Sequence, residues 1–339
     1  MKETIMSITR RRVLVGGAVA ATFSMLPRFA FAQGEQQPVI WQGQALGAPA
    51  KIIFYHPDRK VAEVKAREAE RLENIFSLYR PDSEIVRLNH TGALASPAPE
   101  MVELLGICRT CWQLSDGLFD PTVQPLWQCL RKHFSQANPA PEGPSRAEWD
   151  AALAKIGFDH VLFNAERIAF TKPGMALTLN GIAQGYVTDR VVGLLRDAGV
   201  SEALVDMGEY RAIGGQPDGK PWRIGIADLE AGAAPEEFID IMDQALATSS
   251  FAGFQFEESG RFNHLLNPKT GYSAALYRRV TVVAPDTAMA DALATAFSLM
   301  EPAQIKETLK KLPGIFAYTV SRDGESAALG PDRSKLVSF

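Results

Sequence analysis

The sequence predicts an α+β fold, with mixed sheets covered by helices on one side, and three observations carry that prediction. Amphipathic helix-like stretches and short β-branched runs are interleaved along the chain. They do not alternate in a regular βαβ pattern, and no short internal repeat is visible. The chain has 339 residues, 46% hydrophobic and 22% charged, which suits a globular protein that buries a large core. No second apolar stretch of about 18 residues follows the N-terminus, so no spanning helix is expected.

Residues 39–54 read as two short strands around a Gly-Gln-Ala-Leu-Gly turn region. Residues 61–79 read as an amphipathic helix with Val61, Val64, Leu72, Ile75, Phe76 and Tyr79 near one face, stopped by Pro81. A second helix over 101–114 is closed by Asp116-Gly117. Residues 138–145 carry three prolines and a glycine and read as a surface loop. Ser145 and Glu148 form a capping box that opens a helix through Ile156. A hairpin over 161–163 and 168–171 follows. The glycine-bearing turn 180–185 leads into a helix over 186–198, with Val187, Val191, Leu194, Leu195 and Ala198 on one face and Gly199 as its stop. Residues 203–207, 222–226 and 279–284 read as strands, and Thr287 is expected to cap a helix that runs to Met300.

The first 32 residues stand apart from the fold. A basic segment precedes an apolar run over 13–26, and Ala30-Phe31-Ala32 before Gln33 has the small-x-small pattern of a signal peptidase site. Thr9-Arg10-Arg11-Arg12-Val13-Leu14 fits the twin-arginine pattern. Residues 1–32 therefore read as a cleaved twin-arginine signal peptide, residues 33–339 as the working domain, and the periplasm as its location. No cysteine sits at the cleavage site, so no lipid or other membrane anchor is expected. Loss of this segment removes five basic residues and one acidic residue, which takes the formal net charge from −4 to −8. That balance argues against nucleic acid and anionic lipid as partners.

Cys108 and Cys111 form a C-x-x-C, but inside an apolar helix-like run rather than at a helix start. They read as buried structural cysteines, with a redox pair as the alternative; Cys129 is the third cysteine. Five scattered histidines without H-x-x-x-H spacing argue against a zinc site.

Three stretches carry chemistry. Asp291 and Thr295 lie four apart on a predicted helix, so a carboxylate and a hydroxyl share one face, and both are hard oxygen donors suited to Mg²⁺. Asp291 is flanked by Ala288, Met289, Ala290, Ala292, Leu293, Ala294, Ala296 and Phe297, and a carboxylate in so apolar a helix needs a partner if it is buried. The turn Leu179-Asn180-Gly181-Ile182-Ala183-Gln184-Gly185 joins an apolar segment to a helix start, where backbone can approach a ligand and phosphate is favoured. It has neither the nicotinamide nor the P-loop fingerprint. His264 stands just before the Asn267-Pro268 and Thr270-Gly271 turn and could serve as a general base or be structural.

Together these stretches resemble the ApbE family of FAD:protein FMN transferases. Tyr79-Arg80-Pro81-Asp82-Ser83-Glu84 with Arg87-Leu88-Asn89 looks like the family's Y-x-P-x-S-E…LN segment, and Gly117-Leu118-Phe119-Asp120-Pro121-Thr122-Val123 like G-x-F-D-P-T-V. Residues 181–189 look like G-x-A-K-G-Y-x-x-D, Ala247-Thr248-Ser249 like A-T-S, residues 264–271 like H-I-[IL]-D-P-x-T-G, and residues 290–296 like A-D-A-L-[AS]-T-A. The matches run in order over most of the chain. The resemblance implies an ApbE-like, T-fold-like architecture that takes FAD as substrate. It implies that Asp291, Thr295 and a backbone carbonyl of the Gly181–Ala183 turn hold Mg²⁺ against the FAD pyrophosphate. It implies that Tyr79, Leu118, Phe119, Asp120 and Leu265 line the flavin nucleotide, and that His264 takes the proton from an attacking threonine while AMP leaves.

Three positions depart from the family pattern. Thr178 stands where an acidic residue that touches FAD is usual, Gln184 replaces a lysine, and Asp206-Met207-Gly208-Glu209-Tyr210 replaces an N-L-G-G-D-like stretch. Residues 179–186 look like the NosX branch that accompanies nitrous-oxide reductase, which implies a membrane-bound flavoprotein as target, with a threonine acceptor facing the periplasm. Two rival readings keep the same site: an FAD pyrophosphate hydrolase that forms FMN and AMP, and a non-catalytic periplasmic FAD-binding protein.

Overall fold

In the computed structural model the described residues are 37–58, 61–226, 235 and 237–330. The export signal read in residues 1–32 lies outside them.

β1 (Val39–Ala45) and β2 (Ala48–Phe54) form the expected hairpin, with the turn narrowed to Leu46 and Gly47 at φ 49° and 79°. α1 (Val61–Phe76) ends three residues before the expected Tyr79. Pro81 disfavours helical backbone at Arg80, and Ser83 takes an extended conformation to cap the next helix, so the chain leaves α1 early. That helix, α2 (Glu84–Thr91), was not expected from sequence; it precedes the short strand β3 (Ala93–Ala95). α3 (Pro99–Leu114) begins at a proline in its first turn and ends as expected, with Asp116 and Gly117 at φ 51° and 76°. α4 (Gln124–Phe134) follows a 3₁₀ turn at Pro121–Val123. α5 (Arg146–Leu153) opens with the predicted capping box: the Glu148 amide donates to Ser145 Oγ at 3.4 Å and the Ser145 amide to Glu148 Oε2 at 3.1 Å.

β4 (Val161–Phe163) and β5 (Arg167–Phe170) make the expected hairpin, which joins β3 in a small sheet of order β3-β5-β4. α6 (Ala183–Asp197) starts three residues earlier than expected, so Gln184 and Gly185 belong to the helix and not to the turn before it. β6 (Ala203–Asp206), β7 (Tyr210–Ile213), β8 (Trp222–Ile226), β9 (Glu237–Ile241), β10 (Ala245–Ser250) and β11 (Tyr277–Ala284) follow. α7 (Thr287–Phe297) is capped by Asp286, whose carboxylate accepts the Met289 amide; Thr287, the expected cap, is the first helical residue. α8 (Pro302–Leu309), β12 (Phe316–Ser321) and β13 (Ser326–Leu329) close the fold.

The fold is α+β, built on an eight-stranded antiparallel sheet of order β1-β2-β6-β7-β10-β11-β12-β13. Strand alternation divides its side chains between two faces. Ile52, Phe54, Ala203, Val205, Ala247, Val280 and Val282 join a core with Leu72 and Phe76 of α1, Val187 and Val191 of α6, and Leu293 and Phe297 of α7. The helices thus cover one face, as the sequence predicted. On the other face Ile53, Leu204, Leu246 and Val283 pack against Trp222, Ile224, Ile239 and Ile241 of the β8–β9 hairpin. A third cluster of Leu126, Leu130, Trp149, Phe262 and Leu266 ties α4 and α5 to the segment that carries His264. No helix among the described residues is long and apolar enough to cross a membrane.

Candidate functional site

The site is organised by the contact between the start of α6 and α7. A Cβ on Gly185 would lie 2.4 Å from the Thr287 carbonyl oxygen, so glycine is what lets the two helices approach so closely. Asp189, one turn further along α6, accepts the Thr287 amide at 2.8 Å, the Thr287 hydroxyl at 2.7 Å and the Ala288 amide at 2.8 Å. Its carboxylate satisfies donors that the N-terminus of α7 would otherwise leave open. The Gly185 amide in turn donates to Asp291 Oδ2 at 3.1 Å. Asp291 is therefore buried, 5% exposed, with a backbone partner, as its apolar flanks required. Burial pushes its carboxyl above the usual range, the Gly185 hydrogen bond opposes this, and the Asp189 charge adds to it.

Oxygen donors gather around Asp291. The Ser249 and Thr295 hydroxyls stand 3.4 Å apart, and a Cβ on Gly181 would lie 3.0 Å from Thr295 Oγ1. Ala183 is the first residue of α6, so its carbonyl belongs to the helical ladder. The Gly181 carbonyl receives no hydrogen bond among the described residues. Glu209, 4% exposed, reaches the same cleft and accepts the Thr248 amide through Oε2 at 3.2 Å. Burial, then the nearby Asp291 carboxylate, push Glu209 well above the ordinary glutamate range. Carboxylates, hydroxyls and a free carbonyl form a hard-donor set that fits Mg²⁺.

Loops complete the walls. Leu118 and Phe119 are buried beside the cleft, and the Phe119 amide donates to Ser115 Oγ at 2.9 Å. Asp120 also lines it, but its carboxylate is engaged: Oδ1 accepts the Thr122 amide at 2.8 Å and Oδ2 the Phe158 amide at 3.1 Å. It shapes the loop from within. Asn89 brackets Leu177 through its Oδ1 at 2.7 Å and its Nδ2 at 2.8 Å, which holds the segment leading to Thr178. The Thr178 amide donates to the Pro121 carbonyl at 2.8 Å, joining the two loops. Tyr79 stands at the rim, 46% exposed. Lys269 pairs with Asp116 at 2.6 Å and links the His264 segment to the loop of Leu118.

His264 is part-buried, and its Nδ1 faces the Phe254 carbonyl at 3.1 Å. Nδ1 must therefore carry the proton, which leaves Nε2 as the acceptor in the neutral ring. Burial lowers the imidazole pKa below its ordinary value, and the Phe254 bond opposes that only in part.

All twelve residues singled out by the sequence line one cleft: His264 and Leu265, Tyr79, Leu118 to Asp120, Thr178, Gly181, Ala183, Gln184, Asp291 and Thr295. Glu209, Thr248, Ser249, Trp127 and Phe254 line it too, and sequence reasoning did not place them in a site. Two signals pointed there, the Ala247-Thr248-Ser249 motif and Glu209, an acid in the bend between β6 and β7. Cys108 and Cys111 are buried free thiols, as expected, and Cys129 is part-buried.

A sheet with helices on one face and a cleft of carboxylates, hydroxyls and one histidine defines a class, α+β enzymes that act on a charged ligand. The model of the ApbE family matches residues 46–319, and the chain belongs to that family. It is 27% identical over 308 residues to an FAD:protein FMN transferase of Escherichia coli, covering 87% of this chain and 84% of that protein. It is 31% identical over 244 residues to one of Vibrio cholerae, covering 69% and 71%. Among solved structures, the apo flavinyl transferase ApbE of Pseudomonas stutzeri superposes with a TM-score of 0.76 at 26% identity, covering 88% of this chain and 96% of that one. An ApbE protein of Thermotoga maritima gives a TM-score of 0.77 at 28% identity, covering 89% and 100%.

Proposed function

We propose that this protein transfers FMN from FAD to a threonine of a periplasm-facing flavoprotein and releases AMP. It is an enzyme of the FAD:protein FMN transferase kind, by family and by the relatives it matches. The observation that carries the finer reading is the convergence of Asp291, Thr295 and the unpartnered Gly181 carbonyl with His264 on one cleft. Asp291, Thr295 and Gly181, with Ala183 beside them, would hold Mg²⁺, which when bound supplies counter-charge to a pyrophosphate. Tyr79, Leu118, Phe119, Thr178, Gln184 and Leu265 shape the nucleotide-binding walls, and Asp120 fixes the loop that bears two of them.

In the reaction the acceptor hydroxyl oxygen forms a bond to the phosphorus nearer the flavin. The bond from that phosphorus to the bridging oxygen breaks, and AMP departs with the electron pair. The hydroxyl proton passes to His264 Nε2, which is free because Nδ1–H is held by Phe254. The threonine must reach a phosphorus held deep in the cleft, which favours an acceptor in a short flexible loop. The twin-arginine pattern supports a periplasmic location, and the NosX-like residues 179–186 support a target in the nitrous-oxide reduction system.

The test is mass spectrometry of a candidate acceptor incubated with FAD, Mg²⁺ and this protein. Covalent FMN on a threonine, with AMP released in step, is the expected result. AMP release at the same rate without acceptor would mean hydrolysis, and FAD binding without AMP would mean a carrier.

A further inference from the structure

Two buried carboxylates, Glu209 and Asp291, line this cleft, and among the described residues no cation acts on either. Glu209 and Asp291 are 4% and 5% exposed. Each has a single backbone donor among the described residues, the Thr248 amide for Glu209 and the Gly185 amide for Asp291. The charges that act on Glu209 are Asp291 and Asp206, and the one that acts on Asp291 is Asp189, all negative. The long polar side chain packed on the Glu209 loop is neutral: a Cβ on Gly208 would lie 2.5 Å from Gln184 Nε2. Glu209 Oε1 receives no hydrogen bond among the described residues, although its residue is more than nine-tenths buried and lines the cleft. Desolvating one carboxylate without a counter-charge is costly, and two neighbouring ones repel each other as well. A divalent cation between them reverses both terms, and the Thr295 and Ser249 hydroxyls and the Gly181 carbonyl stand ready as neutral donors.

We propose that Glu209 is a second anionic ligand, beside Asp291, for the divalent cation of this cleft, so that the chain binds the metal before FAD arrives. The inference rests on the reading of the cleft as a metal-assisted nucleotide site. One carboxylate with neutral oxygens would leave the pyrophosphate to complete the metal's charge neutralisation. Two carboxylates hold the cation without that help, and FAD then docks onto a metal already in place.

The experiment titrates Mn²⁺, a paramagnetic stand-in for Mg²⁺, into the metal-free chain without FAD and follows free Mn²⁺ by electron paramagnetic resonance. The wild type should bind one Mn²⁺, and Glu209→Gln should weaken it by about tenfold or more, the scale seen when groups around a metal are lost. Glu209→Asp, which keeps the charge on a shorter arm, should recover part of the loss. The metal-free thermal midpoint of Glu209→Gln should equal or exceed that of the wild type, because a neutral amide of the same shape replaces a carboxyl that is costly to bury; this separates a ligand from a folding role. Unchanged Mn²⁺ affinity in Glu209→Gln overturns the proposal, as does a wild type that takes up Mn²⁺ only with FAD. A wild type that binds Mn²⁺ as described but moves no FMN would instead overturn the transferase reading and leave Glu209 as a ligand.

Discussion

His264 shows how far a single residue can be read. Its place before a turn suggested a base, but the proton's position depends on the Phe254 carbonyl, ten residues away on a segment with no visible signature. With Nδ1–H held and the ring pKa lowered by burial, the neutral base form persists to lower pH than for a free imidazole. Activity should thus be full near neutrality and fall as the pH drops through a value below 6.5. His264→Ala should cut turnover by about 10²–10⁴-fold, leave FAD affinity nearly unchanged and remove that acid limb. A loss traced wholly to FAD affinity would make His264 a ligand contact and not the base. The Asp291/Thr295 pair was legible because helical spacing alone puts the two on one face. Asp291→Ala should abolish FMN transfer, whereas Thr295→Ala should keep a measurable rate, since only a neutral donor is lost; a fully active Asp291→Ala enzyme would refute the metal assignment. Asp120 was legible as a cleft residue but not as a fully engaged one, because Thr122 is a local turn partner whereas Phe158 reaches it only through the fold.

Among the elements, a boundary signal was enough only beside an apolar pattern: α2 follows the Ser83 cap and α8 opens on Pro302, yet neither was read. The capping box at Ser145 and the left-handed stop at Asp116-Gly117 announced their helices. α2 and α8 span eight residues each, too few turns for a 3.6-residue period to stand out. β10 was missed because all six of its residues are buried and three are hydroxyl-bearing, so it shows no alternation. Its polar side chains are satisfied by tertiary partners instead, Thr281 at 2.9 Å for Thr248 and the Arg278 carbonyl at 3.0 Å for Ser250. The contact of α6 with α7 is the element on which the site depends. Gly185→Ala should force the Thr287 backbone aside and destabilise the fold by about 1–3 kcal/mol, the range for overpacked cores. Urea denaturation reads that change, and the displaced Gly185 amide should also weaken metal binding through Asp291. A Gly185→Ala protein with wild-type stability would show that the two helices slide apart without cost.

At the scale of the whole molecule, the cleft draws on eight stretches between Leu46 and Thr295, and their convergence follows from the sheet order rather than from local pattern. Motif order pointed to the family; only the fold brings β10 beneath α7 and the His264 segment across from the loop of Leu118. The proposed export signal rests on sequence alone and lies outside the described residues. Recognition by the twin-arginine route reads paired guanidinium groups, which lysine does not reproduce. Replacing Arg10, Arg11 and Arg12 together by lysine should leave unprocessed precursor in the cytoplasm, as cell fractionation would show; normal processing would mean general secretory export. If the signal is removed as proposed, the remaining chain has a formal net charge of −8 and no electrostatic attraction to anionic lipid, so the proposed membrane-bound acceptor would be reached by direct contact. In the proposed reaction the acceptor threonine would enter the cleft at its rim, where Tyr79 is exposed. Deleting the gene, in a strain that carries no second flavin transferase, should therefore leave the acceptor of the nitrous-oxide reduction system present but without covalent FMN. Nitrous-oxide reduction should fall with it, and restoring the wild-type gene, but not Asp291→Ala, should recover both. An acceptor that still carries its full complement of covalent FMN in the deletion strain would detach this protein from that target.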